Sequence, residues 1–242
     1  MSAPRFFCDE PAAASGEQRL PERVAHHAVR VLRMGEGDSL VLFDGSGIEV
    51  RATLLRRDQS WWIRVEDSAQ VSRESPLQAV LAQGLPSADK MDWVVQKAVE
   101  LGVSAIQPLR AERSVVRLSG ERAAKRLLHW QQIAVAACEQ SGRNKVPEIR
   151  PVLDLESYLA VNPEGAHRVV LEPHAGAGLG TLERPLGSMH ILVGPEGGWS
   201  PREAIACRAA GCEGVTLGPR VLRTETAGLA ALAAMQILWG DF

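Results

Sequence analysis

The sequence predicts an α/β domain built on a parallel sheet, preceded by a small β-rich unit. Three observations carry this. From Leu77 onward, apolar strand runs alternate with helical patterns. Residues 1–72 instead hold short apolar runs bounded by turn residues. Between them, Glu66 to Pro76 (EDSAQVSRESP) is polar and turn-rich, which places a linker there and the domains at 1–72 and 73–242. The chain has 242 residues, 45% hydrophobic and 23% charged, a globular composition that excludes wholesale disorder. No uninterrupted apolar stretch reaches the roughly 20 residues of a membrane span, and the first twenty residues show no secretory pattern. Cys8, Cys138, Cys207 and Cys212 are scattered, so neither a metal site nor a disulfide framework is expected, and a cytoplasmic setting follows.

Each element has its own signal. Arg5-Phe6-Phe7 is strand-like, and Pro21 to Leu32 reads as a short helix with Val24, Ala28 and Leu32 on one face. Ser39 to Phe43 is a strand, Asp44-Gly45-Ser46-Gly47 a hairpin turn, and Ile48 to Leu55 and Trp61 to Val65 are further strands. Leu77 to Ala82 is a buried-strand run. Asp89 then caps a helix whose Met91, Val94, Ala98 and Leu101 share a face, and Gly102 stops it. Val103 to Leu109 returns to the sheet. Ser119 opens a long helix with Leu127, Trp130, Ala134 and Ala137 inward, ending at Gly142. Strands at Arg168 to Glu172, His190 to Val193 and Gly214 to Leu217 follow, with helices after the last two; Thr224 or Thr226 can cap the final one.

Net charge is −2, but nine Lys/Arg against four Asp/Glu lie between Arg110 and Arg150, leaving the rest of the chain at −7. Such a cationic segment suits a phosphate-facing surface, and equally a solvated helix face. Ligands of open α/β sheets bind outside the carboxyl ends of the strands. Three such ends carry unusual loops: Leu171-Glu172-Pro173, Gly194 to Trp199 (GPEGGW) and Leu217-Gly218-Pro219. Ser200-Pro201-Arg202-Glu203 starts a helix in capping-box form. Neither the dinucleotide fingerprint nor the P-loop pattern is present, and Glu196 would repel phosphate, so a neutral or cationic ligand fits better. Small residues from Gly228 onward let the last helix pack closely, and a side chain at Gly197 would enter the crevice.

The run GPEGGWSPREAIACRAAGCEGVTLGPRVLRTETAGLAALAAMQ resembles the C-terminal end of the 16S ribosomal RNA uridine-N3 methyltransferase family (RsmE), within the SPOUT superfamily. PRFF, HHAVRVLRMGEGD, KMDWVVQKAVELGVSAIQPLRAERSVVR and CEQSGRNKVPEI resemble it too, in the family's order across both halves. The resemblance implies a PUA-like β-barrel followed by a trefoil-knotted α/β domain, a homodimer, and S-adenosylmethionine (SAM) as methyl donor. It implies methylation of N3 of a uridine near the 3′ end of 16S rRNA in the small ribosomal subunit, at the decoding site. Carried onto this chain, it places Leu171, Glu172, Pro173, Gly194, Pro195, Glu196, Gly197, Gly198, Leu217, Gly218, Leu222, Arg223, Thr224, Thr226 and Ala227 around the cofactor. Backbone of Leu217, Gly218 and Leu222 would meet the adenine, and Glu196 is tolerable beside a cationic sulfonium. Arg143 is the first catalytic candidate, a cation for the developing uridine anion, with Glu139 or Glu196 as proton acceptor. Arg5, Arg30, Arg33, Arg110, Arg113 and Arg117 are candidates for RNA contacts. The rival expectations are a SPOUT enzyme acting on another rRNA base or a ribose 2′-OH, a non-catalytic RNA-binding protein, and a nucleotide-phosphate enzyme that would bind ATP or NAD and not SAM.

Overall fold

The computed structural model describes residues 3–10, 13–87, 89–161 and 163–242, which form two compact units. The first comprises Met1–Glu74 together with Cys138–Val146, and the second Ser75–Ala137 with Pro147–Phe242.

The first unit is a five-stranded sheet among the described residues, built from β1 (Arg5–Phe7), β2 (Gly16–Arg19), β3 (Ser39–Phe43), β4 (Ile48–Arg57) and β5 (Ser60–Gln70). The spatial order is β1-β3-β4-β5-β2, with β1 parallel to β3 and the other pairs antiparallel. Period-2 alternation sends Leu40, Leu42, Val50, Ala52, Leu54 and Ile63 into one core with Phe6, Val24 and Ala28. Two expectations need correcting. β5 continues through Gln70, so much of the expected linker is strand, its polar residues being the exposed side of a ladder with β4. Leu32 is exposed, because the helix α1 (Glu22–His26) widens into a π-helical turn over His27–Val31. That extra residue per turn rotates Leu32 out and brings Met34 in, with Met34 N–H on the Ala28 carbonyl at 3.0 Å.

The second unit is an eight-stranded parallel sheet among the described residues. It holds β6 (Ala79–Gly84), β7 (Ala105–Arg110), β8 (Glu148–Ile149), β9 (Leu153–Asp154), β10 (His167–Leu171), β11 (Ala177–Gly178), β12 (Met189–Val193) and β13 (Glu213–Thr216). The order is β11-β13-β10-β12-β6-β7-β8, with β9 pairing beside β7. Every residue of β6 and β12 is buried, as a strand covered on both faces requires. On one face Ala82, Val170 and Leu192 meet α4 (Leu155–Ala160) and α5 (Pro201–Ala209). On the other lie α2 (Lys90–Glu100) and α6 (Thr224–Trp239), packed on each other. The long helix α3 (Gly120–Ser141) ends at Gly142, whose φ of +86° stops it, and its last turn belongs to the first unit. Asp89 stands at the start of α2 but makes no side-chain cap. α5 opens with the expected capping box, Ser200 and Glu203 each bonding the other's backbone N–H.

Candidate active site

β13, β10 and β12 are neighbours, so the loops leaving their carboxyl ends converge. Leu171 to His174, Gly194 to Trp199, Thr216 with Leu217, and Arg220 to Glu225 line a cleft of about 690 Å³, a size suited to a small ligand. Glycine is required in its wall. A Cβ on Gly194 would lie 3.3 Å from Gly198 Cα, and one on Gly84 would lie 2.7 Å from the Pro195 backbone nitrogen. A Cβ on Gly228 would sit 2.9 Å from Leu81 and 3.2 Å from Val193, so α6 touches the sheet only because that side chain is absent. Gly197 differs from expectation. Its Cβ would strike Arg113 Cβ at 2.9 Å, so a substituent there pushes on the loop after β7.

Thr224 does not cap α6, nor does Thr226; Arg223 holds the cap position without a side-chain bond. Thr224 instead donates its hydroxyl to the Gly194 carbonyl at 2.5 Å and accepts from Gln83 Nε2 at 2.9 Å. This buried relay ties the β12 loop, α6 and β6 together.

Lys90, Glu196 and Glu225 form a charged cluster in the cleft, whose lining also holds Glu172, Arg220 and Arg223. Glu196 Oε1 accepts from Ser87 N–H at 2.8 Å, Ser87 Oγ at 2.6 Å and Lys90 Nζ at 3.0 Å. Burial alone would raise the Glu196 carboxyl, but these bonds outweigh it and hold it at about 2. Lys90 also faces Glu225 Oε2 at 3.5 Å. Two lining groups, Trp199 Nε1 and Glu225 Oε2, are buried without a hydrogen bond.

Of the residues expected around the ligand, Leu171, Glu172, Pro173, Gly194, Pro195, Glu196, Gly197, Gly198, Leu217, Leu222, Arg223, Thr224 and Ala227 line this cleft. Gly218 lines an adjoining hollow with Leu179 and Ala234, and Thr226 is exposed on the first turn of α6. Trp199, Arg220 and Glu225 fall within loops marked from the sequence without being singled out there, whereas Lys90 and Thr216 were missed. Lys90 follows the carboxyl end of β6, so the strand-end rule applied to a fourth strand would have found it.

Arg143 and Glu139 belong to the first unit. Arg143 is buried and its guanidinium pairs with both oxygens of Glu74, while Glu139 accepts the Phe7 N–H at 2.9 Å. Beside them Glu49 accepts from Arg5 and Arg73, each at 3.0 Å, and from Asn144 at 3.2 Å. Arg5 is thereby held inside this unit, whereas Arg30, Arg33, Arg110, Arg113 and Arg117 are exposed. Arg113 reaches the carbonyls of Gly197 at 3.1 Å and Trp199 at 3.3 Å. Among the described residues no group of His, Cys, Asp and Glu is placed to hold a metal, and no helix is long and apolar enough to cross a membrane.

Comparison with known proteins decides the family. Residues 73–236 match the RNA methyltransferase domain family, and residues 20–58 the RNA methyltransferase PUA domain family. The ribosomal RNA small subunit methyltransferase E of Bacillus subtilis is 37% identical, over 89% of this chain and 90% of its own. The chain belongs to the ribosomal RNA small subunit methyltransferase E family. A methyltransferase E from Neisseria gonorrhoeae, solved with S-adenosyl methionine bound, superposes with a TM-score of 0.92 at 41% identity over the whole of both chains. A Legionella pneumophila protein, also solved with SAM, gives 0.94 at 34% identity, again over the whole of both. The fold of this chain thus matches that of the Neisseria gonorrhoeae methyltransferase E from end to end.

Proposed function

We propose that this chain transfers the methyl group of SAM to N3 of a uridine near the 3′ end of 16S rRNA. The carrying observation is the cleft at the carboxyl ends of β10, β12 and β13, whose residues suit that donor. Its wall combines glycine backbone with apolar side chains such as Leu171, Leu217 and Leu222, which suits a flat adenosine. Glu172, Glu196 and Glu225 line it together with Lys90, Arg220 and Arg223, so the lining is balanced in formal charge and offers carboxylates that can face a cationic sulfonium. Trp199 Nε1 offers a donor with no hydrogen-bond partner, and Glu225 Oε2 an acceptor whose partner is the Lys90 ammonium at 3.5 Å. SAM, when bound, supplies an electrophilic methyl group on a cationic sulfonium. In this reading the backbone of Leu217 and Leu222 meets the adenine, Gly194, Gly197 and Gly198 keep the β12 loop close, and Thr224 locks that loop to α6.

N3 of uridine is an imide nitrogen that becomes strongly nucleophilic once its proton has left, so the protein must orient the unpaired base and help that proton go. Arg143 is the proposed cation for the resulting anion. Because it is buried against Glu74, that role requires its guanidinium to exchange Glu74 for the base. Glu139 is the proposed proton acceptor; Glu196, ionised but covered by three donors, is the poorer one. Exposed Arg30, Arg33, Arg110, Arg113 and Arg117 are proposed for phosphate contacts. A homodimer, a cytoplasmic setting and a knotted second domain complete the proposal.

The test is methylation of small-subunit rRNA by the purified chain with labelled SAM, followed by mass-spectrometric mapping. One new methyl group on N3 of a 3′-terminal-region uridine is expected. A methyl on a ribose or another base would redirect the target, and no SAM binding would overturn the enzymatic reading. Arg143→Ala is expected to abolish turnover with SAM affinity unchanged, at a lowered Tm because Glu74 loses its buried partner; a lowered Tm at full specific activity would make it a structural arginine.

A further inference from the structure

We propose that Lys90 is a positioning residue, its ammonium clamping the β12 loop to the first turn of α6 and so fixing the width of the cleft. The inference rests on reading the cleft as the SAM site. Lys90 Nζ lies 3.0 Å from Glu196 Oε1 and 3.5 Å from Glu225 Oε2, one carboxylate from each of these two lining segments. Lys90 is itself well anchored. It is the first residue of α2, whose Met91, Val94, Val95, Ala98 and Val99 are buried.

The two carboxylates are held unequally. Glu196 has two bonds from Ser87 besides Lys90, all on a single oxygen, so it stays with the segment between β6 and α2 whatever happens at Lys90. Glu225 Oε2 is buried without a hydrogen bond, and Lys90 is its ion-pair partner. Removing the ammonium would leave two carboxylates facing each other in a partly enclosed corner, and their repulsion would drive α6 and the β12 loop apart. The hydrogen bond to Glu196, with the charges of both carboxylates, raises the pKa of Lys90 further, so it stays cationic at neutral pH. A permanently charged Lys90 is a brace and not the base that takes the uridine proton.

A clamp and a simple charge predict opposite results. The clamp shapes the space for any adenosyl ligand; a bare positive charge would only oppose the sulfonium. Full-length wild type, Lys90→Met and Lys90→Arg are titrated calorimetrically with SAM and with S-adenosylhomocysteine, its neutral thioether counterpart, with Tm measured on each. The clamp predicts that Lys90→Met weakens both ligands about tenfold at nearly unchanged Tm, and that Lys90→Arg restores both to within about threefold. Glu225→Gln, which removes the charge on the other side of the brace, is expected to weaken both ligands together as well. Tighter SAM binding by Lys90→Met with S-adenosylhomocysteine unchanged would overturn the clamp, as would equal affinities in all variants. A wild-type chain that binds neither ligand would overturn the reading of the cleft itself, an outcome distinct from both.

Discussion

Gly84 and Gly228 show how much of the cleft depends on atoms that are missing. Each faces a neighbour that a Cβ would strike, the Pro195 backbone in one case and Leu81 in the other. Gly228→Ala is expected to cost about 1–3 kcal/mol, the usual range for an overpacked contact, measured by urea unfolding. Gly84→Ala pushes on the β12 loop itself and should weaken SAM binding severalfold; unchanged affinity would show that the loop yields freely. Residues of this kind were partly legible beforehand. The glycines of GPEGG stand out because they follow an apolar run, and Gly228 because it opens a small-residue helix. Gly84 was not legible, since its partner is 111 residues away and no local pattern links them. Lys90 escaped for the same reason: its meaning comes from two carboxylates at positions 196 and 225.

Among elements, those with a strong local signal came through. The capping box of α5 was written in Ser200-Pro201-Arg202-Glu203. Ser200→Ala should cost about 1 kcal/mol, read from the urea midpoint, as is usual for losing an N-cap. Glu203 carries more, because its carboxylate also accepts the Glu112 N–H at 2.8 Å and so holds the loop after β7. The parallel strands β6, β7, β10, β12 and β13 were found from their apolar runs. β2 was not, because Gly16-Glu17-Gln18-Arg19 is polar throughout and becomes a strand only by pairing with β5. β8, β9 and β11 are two residues each, too short for any periodicity to register. α4 is six residues long; its Asp154 cap, bonded to Ser157 N–H at 2.8 Å, was a readable signal that was passed over.

The acid response of the whole molecule should begin in the second unit, because His190 there titrates at about 4, before Glu49 of the first unit and Glu196 of the second, both held at about 2. In the second unit His190 is buried, bonded to Tyr158 at 2.5 Å and Ser188 at 3.0 Å. Burial, aided by Arg168 and Arg150, lowers it from 6.5 to about 4. The unfolded chain therefore takes up this proton first. The stability tied to neutral His190 is full above pH 6.5 and is lost as pH falls through 4, about 3 kcal/mol in all. In the first unit burial raises Glu49, but bonds from Arg73, Asn144 and Arg5 prevail and lower it from 4.5 to about 2. Its contribution, also about 3 kcal/mol, is full above pH 4.5 and disappears as pH falls through 2. Hydrogen exchange between pH 7 and 3 should show protection declining first in β10 and β12, and only later in β3 and β4. His190→Gln should flatten the earlier decline alone; simultaneous decline in both units would refute the assignment.

Cys138–Val146 gives the chain a constraint in time. The carboxylate of Glu49 gathers Arg5 and Arg73 early in the chain but needs Asn144 to complete its shell, and Glu74 needs Arg143. A nascent polypeptide emerging from the amino end therefore presents both acids long before their last partners have been made. The amino-terminal module matures only after translation has passed well into its neighbour, so cutting the gene at codon 74 would yield two fragments, the first lacking its own closing piece.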